Sequence, residues 1–266
     1  MGPTGCLAIS NMVLTNQSLR VLSLSNNGIN DRDLALFSQS ISRNKNVPLE
    51  KIQFSFNRLT CSGVESLMNA IWGSPILKEV RLDNNHIKDR GAQLAAVTLT
   101  SVNLKVLDMG FNRISTVGIK AIMKSLSENT SLESLVLSGN PLDVNASKAV
   151  SYALAYNRTL KGFHVDNCSV GYAAQRHIAA GIVSNSGLSL QAITGFRLGS
   201  MAVTLGLPPP LDKWSNEQTL KFIRMMWEQK RREELEVANS NDDDDDDESN
   251  MDQDENVKSR YSKIGK

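Results

Sequence analysis

The pattern L-x-x-L-x-L-x-x-N-x-L recurs along the chain, and no other feature of the sequence restricts the possible folds so strongly. With the first leucine of a copy numbered as position 0, apolar residues return at positions 3, 5 and 10, as Leu135, Leu137 and Leu142 do in the fifth copy. Successive copies start 27 to 30 residues apart, which predicts an array of similar units that cover one another's apolar faces. The copies start at Leu19, Leu49, Leu77, Leu104, Leu132 and Leu160.

Position 8 of each copy has a restricted choice of residue. It is Asn27, Asn57, Asn85, Asn112 and Asn140 in the first five copies and Cys168 in the sixth. Where a short strand ends and the chain bends inside an array, backbone amides and carbonyls point inward and cannot reach water. A short side chain with both a donor and an acceptor satisfies them. We therefore expect the asparagines to stack as a ladder through the array.

The second half of each unit shows a different periodicity. Apolar pairs four residues apart recur there, which is the spacing of one helix face. The pairs are Leu67 with Ile71, Ile122 with Leu126, Val150 with Leu154, and Ile178 with Ile182. Strand, bend and return helix in units of about 28 residues resemble the leucine-rich repeats of the ribonuclease-inhibitor-like class over about residues 5–200. The resemblance implies an α/β solenoid, a horseshoe arc with parallel strands on the concave side and helices on the convex side.

The predicted organisation has five parts. Residues 1–18 match the helical half of a truncated repeat, so we expect either a longer parent array or another segment that covers this end. Residues 19–200 form the solenoid, with six full repeats and a degenerate last one. In that last repeat Leu188, Ile193, Phe196 and Leu198 are expected at positions 0, 5, 8 and 10.

The remaining three parts follow the solenoid. Residues 201–212 are a Pro-rich spacer, and residues 213–238 are predicted as an amphipathic helix. Its Trp214 and Trp227 either cap the last repeat or anchor a partner. Residues 239–266 are predicted as a disordered tail, acidic and then basic, whose acidic run is a candidate for binding basic proteins.

Strand alternation directs positions 2, 4, 6 and 7 of each repeat away from the core. Aromatic and arginine side chains dominate binding hot spots, and five residues on consecutive repeats combine aromatic rings with charges. His164 and Asp166 lie two apart on one strand face, where they could touch. The predicted partner-binding residues on the concave face are Phe56, Arg81, Asp83, Asp108, Phe111, His164 and Asp166.

Composition narrows the function classes. Three cysteines without close spacing, Cys6, Cys61 and Cys168, indicate neither a disulfide framework nor a zinc cluster. No stretch has the roughly 18 to 20 apolar residues of a membrane span, and no signal peptide or site for specific nucleic acid stands out. Five N-x-S/T matches are the weak argument for secretion, so the expected location is cytoplasmic or nuclear.

The predicted function is that of a protein-binding scaffold that uses no cofactor and no metal. No nucleophile-base-orienter set or phosphate loop stands out, so we predict no enzyme. The phrase at 83–91 and the acidic run also resemble Ran GTPase-activating proteins, which implies action on a GTPase in trans, with Arg81 and Asn84 as the nearest candidates. A third alternative is a repeat fragment of a larger cytosolic receptor-like protein.

Overall fold

The computed structural model describes a repeating strand and helix architecture. The described residues are 1–44, 46–185, 187–188, 192–195, 202–203, 205–208 and 216–244, with the side chains of the last helix described over 218–237. The strands are β1 Val21–Ser23, β2 Lys51–Gln53, β3 Glu79–Arg81, β4 Val106–Asp108, β5 Ser134–Val136, β6 Gly162–His164 and β7 Ala192–Thr194. The helices are α1 Pro3–Thr15, α2 Asp31–Arg43, α3 Cys61–Ile71, α4 Lys88–Thr98, α5 Thr116–Glu128, α6 Val144–Tyr156, α7 Tyr172–Ser184 and α8 Asn216–Asp244.

The seven strands of the described part form one parallel sheet in chain order. Each strand pairs with the strand of the next repeat without a shift, so equivalent positions stand side by side; Gln53, Arg81 and Asp108 form one such row. Each return helix packs on the helix of the next repeat, and the core lies between the sheet and the helices. The leucines at positions 0, 3, 5 and 10 of the fifth repeat are buried there. The predicted leucine-rich-repeat solenoid is therefore confirmed.

The asparagines at position 8 form the expected ladder. The buried Asn112 donates from Nδ2 to the carbonyls of Leu82 at 2.9 Å and Met109 at 3.1 Å, and its Oδ1 accepts from the amide of Ile87 at 3.3 Å. In the sixth repeat Cys168 takes this position, with its Sγ 3.4 Å from the carbonyl of Leu137. Inward-facing backbone groups are thus paired without water.

The seventh repeat departs from the expected register. Strand β7 pairs Ile193 with Phe163, which is at position 3 of its repeat, whereas the sequence pattern placed Ile193 at position 5. The assignment that started this repeat at Leu188 was wrong by two residues, because Leu188 is buried just as a position 0 leucine would be. Phe196 and Leu198 lie outside the described residues.

The chain divides into two compact units, Met1–Arg224 and Met225–Lys266. The first includes α1, where Cys6 and Val13 are fully buried, and the first turns of α8, where Leu220 and Ile223 are buried. In the second unit α8 continues to Asp244, so its backbone is helical beyond the end expected near residue 238. In the described part of the chain, no helix combines the length and apolar character needed to cross a membrane.

Candidate binding site on the strand face

The strand face, which is the side of the sheet away from the helices, carries the predicted binding residues of repeats two to four. Phe56 and Phe111 are 58% and 45% exposed. Arg81 and Asp83 are half-buried and Asp108 is buried. Parallel strands lie about 4.8 Å apart, so the backbones of the two phenylalanines, two repeats apart, are separated by about 10 Å. We call the set Phe56, Arg81, Asp83, Asp108 and Phe111 the central patch.

Arg81 is held by carboxylates of its own sheet. Its Nε donates to Glu79 Oε1 at 2.5 Å, and its Nη1 lies 3.7 Å from Asp108 Oδ2 on the next strand. Glu79 is only 7% exposed and also receives Gln53 Nε2 at 3.1 Å and Lys51 Nζ at 3.3 Å. Burial alone raises the pKa of Glu79, but the hydrogen bonds from Arg81, Gln53 and Lys51 outweigh it and lower that pKa. Arg81 therefore neutralises a buried carboxylate besides facing solvent.

The negative charge of the buried Asp108 is less well compensated than that of Glu79. Burial, with the nearby Asp83 adding to it, raises its pKa to about 6, although the Gly110 amide donates to Oδ1 at 3.0 Å and Arg81 opposes the shift. Asp83 accepts hydrogen bonds from the Ser55 hydroxyl and from Asn84 Nδ2, the latter at 2.9 Å. The patch consequently holds more negative charge than its own cations neutralise closely.

The two phenylalanines occupy a backbone conformation that suits other residues. At position 7 the φ angles of Phe56 and Phe111 are 55° and 52°, in the left-handed region. The other described residues at this position are Asn26, Asn84, Gly139 and Asn167, which are the residue types that adopt this region readily. A bulky side chain there is a true outlier, with a cost of order 1–3 kcal/mol. The bend itself therefore does not account for phenylalanine at position 7.

The neighbouring glycine determines where the Phe111 ring lies. A Cβ atom added to Gly139 would come within 2.2 Å of Phe111 Cδ1 and 2.4 Å of Cε1. The ring thus covers the bare backbone of the next repeat and occupies the space of the missing side chain. Gly139 also has a φ of 71°, so it serves both the bend and the ring.

His164 and Asp166 do not form the direct pair that their spacing suggested. The Thr194 hydroxyl donates to Asp166 Oδ2, and its oxygen lies 3.0 Å from His164 Nδ1. Since the single hydroxyl proton goes to Asp166, Nδ1 of His164 donates to Thr194. In a nucleophile-base-orienter set the imidazole lies between the hydroxyl and the carboxylate, whereas here the hydroxyl lies in the middle. This arrangement joins side chains of neighbouring strands, and its groups are not in the order of such a set.

Of the two predicted helix anchors, one lies within the described residues and one lies outside them. Trp214 lies outside the described residues, and Trp227 is half-buried in the second unit. Within the first unit, Arg224 Nη2 donates to the carbonyl of Leu188 at 2.6 Å. The start of α8 therefore closes part of the last repeats.

Sequence reasoning missed four participants of the strand face: Lys51, Glu79, Gly139 and Thr194. Lys51 and Glu79 stand at position 2, which alternation directs outward, and only the contacts between neighbouring strands show that Glu79 is buried. The charge pattern Lys51, Glu79, Arg81 was the available signal.

Comparison with known families agrees with the architecture. A model of the family described as "Leucine Rich repeat" matches residues 15–38, 73–94, 100–123 and 128–145. Pig ribonuclease inhibitor is 24% identical over 204 residues, which cover 76% of this chain and 44% of that protein. The chain is a leucine-rich-repeat protein of the ribonuclease-inhibitor-like class. Arrays of this class generally mediate protein–protein interaction and are typically not enzymes.

Other leucine-rich-repeat proteins are similar over parts of their length. Mouse "NACHT, LRR and PYD domains-containing protein 14" is 27% identical over 186 residues, 69% of this chain and 19% of that protein. The chain thus spans less than half the length of these curated relatives. Among solved structures, the tropomodulin C-terminal domain of Caenorhabditis elegans aligns at 13% identity with a TM-score of 0.44, covering 68% of this chain and 92% of that one.

Proposed function

We propose that this leucine-rich-repeat protein is a binding scaffold whose partner protein seats on the central patch of the strand face. The observation that carries the proposal is the pair Phe56 and Phe111, which are exposed and stand in left-handed backbone where repeats otherwise use Asn or Gly. The backbone strain and the exposed apolar surface of the rings both raise the free energy of the unbound protein. A bound partner would cover the rings and offset that cost.

The surroundings of the rings favour a protein partner over a small molecule. The rings stand about 10 Å apart with Asp83 and Asn84 on the repeat between them, an open arrangement of aromatic anchors around polar groups. The side chain of Arg81 is 41% exposed and stays partly available despite its bonds to Glu79. The uncompensated charge of Asp83 and Asp108 favours a partner surface that brings a cation between apolar groups. Asp166 and His164 lie two to four strands away from the residues of the patch and would contribute to the edge of such an interface.

The test is the double substitution Phe56→Asn with Phe111→Asn. Asparagine suits the left-handed region better than phenylalanine, and this gain offsets the packing of Phe111 on Gly139 that is lost when both rings are removed. Tyr172→Asn is the matched control, because Tyr172 is 66% exposed at the start of α7 on the helix side. Proteins captured by wild type and by the control are compared with those captured by the double variant, and the difference is then measured with the purified partner.

A partner that seats on the central patch binds the double variant at least about 30-fold more weakly, the effect of losing one hot-spot residue worth about 2 kcal/mol. Equal capture by all three proteins, with unchanged circular dichroism, would contradict the proposal. Arg81→Glu is a poorer test, since it would place another carboxylate beside the buried Glu79 and disturb the sheet itself.

Two alternatives stay predictions. Stimulation of a GTPase would use Arg81 and Asn84, and both side chains are engaged within the sheet, by Glu79 and by Asp83. Membership of a larger receptor-like protein depends on sequence preceding Met1. Neither changes the surface proposed here, because both would present the same strand face to a protein.

A further inference from the structure

A second set of asparagines stacks at the helix ends, on the edge of the array where each strand begins. Asn157 ends α6, and its Nδ2 donates to the carbonyls of Leu126 and Asn129, each at 2.9 Å. Asn185 bonds in the same way to Leu154 and Asn157, and Asn44 to Val13 and Asn16. Each asparagine thus serves carbonyls 28 and 31 residues earlier. Side-chain amides at this place close the helix end of the previous repeat.

This helix-end row of asparagines, which is separate from the position 8 ladder, is interrupted at the ends of two successive helices, α3 and α4. Leu99 ends α4 and is 3% exposed, so its side chain fills the space between repeats. Trp72 ends α3 and is 54% exposed, and it carries no amide. Within the described part of the chain, no side-chain amide bonds to the carbonyls 31 and 28 residues before Trp72, those of Ile41 and Asn44, as one does to their equivalents. Asn44 O accepts a 3.5 Å bond from Val47 N, and a carbonyl oxygen has a second lone pair.

A cavity of about 350 Å³ opens where the amide is missing. Ile41 and Asn44 line it on one side, and most of its other walls are apolar. Leu49, Ile71 and Leu77 among them belong to the buried core, whereas Trp72 and Ile76 are 54% and 39% exposed. The cavity therefore runs from solvent to the core. Its volume is near the lower end of ligand sites, about 300 to 1,000 Å³.

We propose that this cavity binds one large apolar side chain of an extended peptide segment in a partner protein, together with an adjoining backbone amide. Asparagine closes the same place in other repeats with an amide N–H, and a peptide backbone supplies an amide N–H directly beside an apolar side chain. That amide donates to the carbonyls of Ile41 or Asn44 while the side chain packs on Leu49, Ile71 and Trp72. The volume suits one such residue and excludes a large cofactor.

The probe is N-acetyl-phenylalanine amide, titrated into the full chain and followed by saturation-transfer NMR at the resonances of the probe itself. We expect saturable binding with a Kd on the order of 1 mM, as for other ligands of this size. N-acetyl-alanine amide, which lacks the ring, binds at least tenfold more weakly. So does N-acetyl-N-methyl-phenylalanine dimethylamide, which keeps the ring but has no N–H donor.

Two variants close the cavity in different ways. Ala70→Leu fills it and leaves Trp72 in place, because Ala70 is a half-buried lining residue. Trp72→Asn restores the interrupted helix-end row of asparagines, so binding is lost while the melting temperature stays equal or rises. Val97→Ala is the control, since Val97 is 54% exposed and lies outside the cavity lining. It binds the probe as wild type does.

Three results would overturn the proposal. They are no saturable binding of the phenylalanine probe, undiminished binding by folded Ala70→Leu, and equal affinity for the probe without N–H donors. Self-association of the chain that Ala70→Leu abolishes would assign the cavity to a second copy and likewise overturn it. The outcome is independent of the strand face, because Phe56 and Phe111 are untouched in every variant.

Discussion

Asp108 places an ionisable carboxylate where the fold disfavours its charge, so Asp108→Asn is predicted to stabilise the protein at neutral pH. The native pKa of about 6 lies about 2 units above the ordinary 3.8. At 1.36 kcal/mol per unit the ionised carboxylate destabilises the folded state by about 3 kcal/mol near pH 7.5. The side chain is 11% exposed, so solvent screens little of this effect. Asparagine Oδ1 can still accept from the Gly110 amide.

The sign of the pH dependence follows from the raised pKa. The stability that Asp108 contributes is fully present below pH 3.8, where it is protonated folded and unfolded, and is lost as the pH rises through 6. The groups that face it, Asp83, Arg81 and Glu79, keep their charges in the variant, and their effects on Asp108 are already part of its raised pKa. The advantage of Asp108→Asn is therefore largest, about 3 kcal/mol, at pH 7.5, is about half as large at pH 5, and nearly disappears below pH 4.

Urea unfolding of both full-length proteins across this pH range measures the difference directly, with equal m-values as the check that the same surface unfolds. Ser23→Ala is a suitable control, because Ser23 is the exposed residue at position 4 of the first repeat and the substitution changes no charge. Destabilisation by Asp108→Asn, or a difference that does not vary with pH, would refute the reasoning. Destabilisation would show that the pair with Arg81 at 3.7 Å outweighs the burial of the carboxylate, and a difference independent of pH would show that the pair balances it.

Two further predictions test the array and the GTPase alternative. Asn112→Ala removes buried bonds to Leu82, Met109 and Ile87 and should lower the free energy of unfolding by about 3 kcal/mol or more, as each unsatisfied buried group costs about 1–3 kcal/mol. Asn27→Ala, at the half-buried start of the ladder, should cost less than half as much in the same urea experiment. If the Ran-type alternative is correct, the chain stimulates multiple-turnover GTP hydrolysis by Ran and Arg81→Ala loses the effect; no stimulation by the wild-type chain removes that alternative.

The periodic part of the structure was predictable because each unit buries its apolar side chains and pairs its inward-facing backbone groups in the same way. Leucines at fixed positions, an asparagine at position 8 and apolar pairs four residues apart each have one physical reason, and the strands and helices follow them. The pattern became ambiguous where the period changed: Leu188 is buried, yet β7 places Ile193 opposite Phe163, two residues from the expected register. Burial alone does not define register; pairing with a neighbour does.

The helix-end asparagines show a different kind of miss. Asn16, Asn129 and Asn157 are three of the five N-x-S/T matches, yet Asn157 is 2% exposed and its Nδ2 donates to two backbone carbonyls. A glycan on the Asn157 side-chain nitrogen would have to break these hydrogen bonds at the helix end. The structural signal was the 28-residue spacing of Asn129, Asn157 and Asn185, and it is visible only if polar residues are aligned as carefully as leucines.

Residues that depart from the repeat pattern indicate function, because the fold itself does not require them. The central patch and the cavity beside Trp72 both contain such residues. Phenylalanine replaces Asn or Gly at position 7, where the bend has no use for a ring, and tryptophan replaces asparagine at a helix end, where carbonyls are left without their amide. Glu79 is a third exception, because it is a buried carboxylate on the strand face, but Lys51, Gln53 and Arg81 all bond to it within the sheet. An exception that the chain compensates itself is structural. Those it leaves exposed, at Phe56, Phe111 and Trp72, are where a partner is expected to supply what the fold does not.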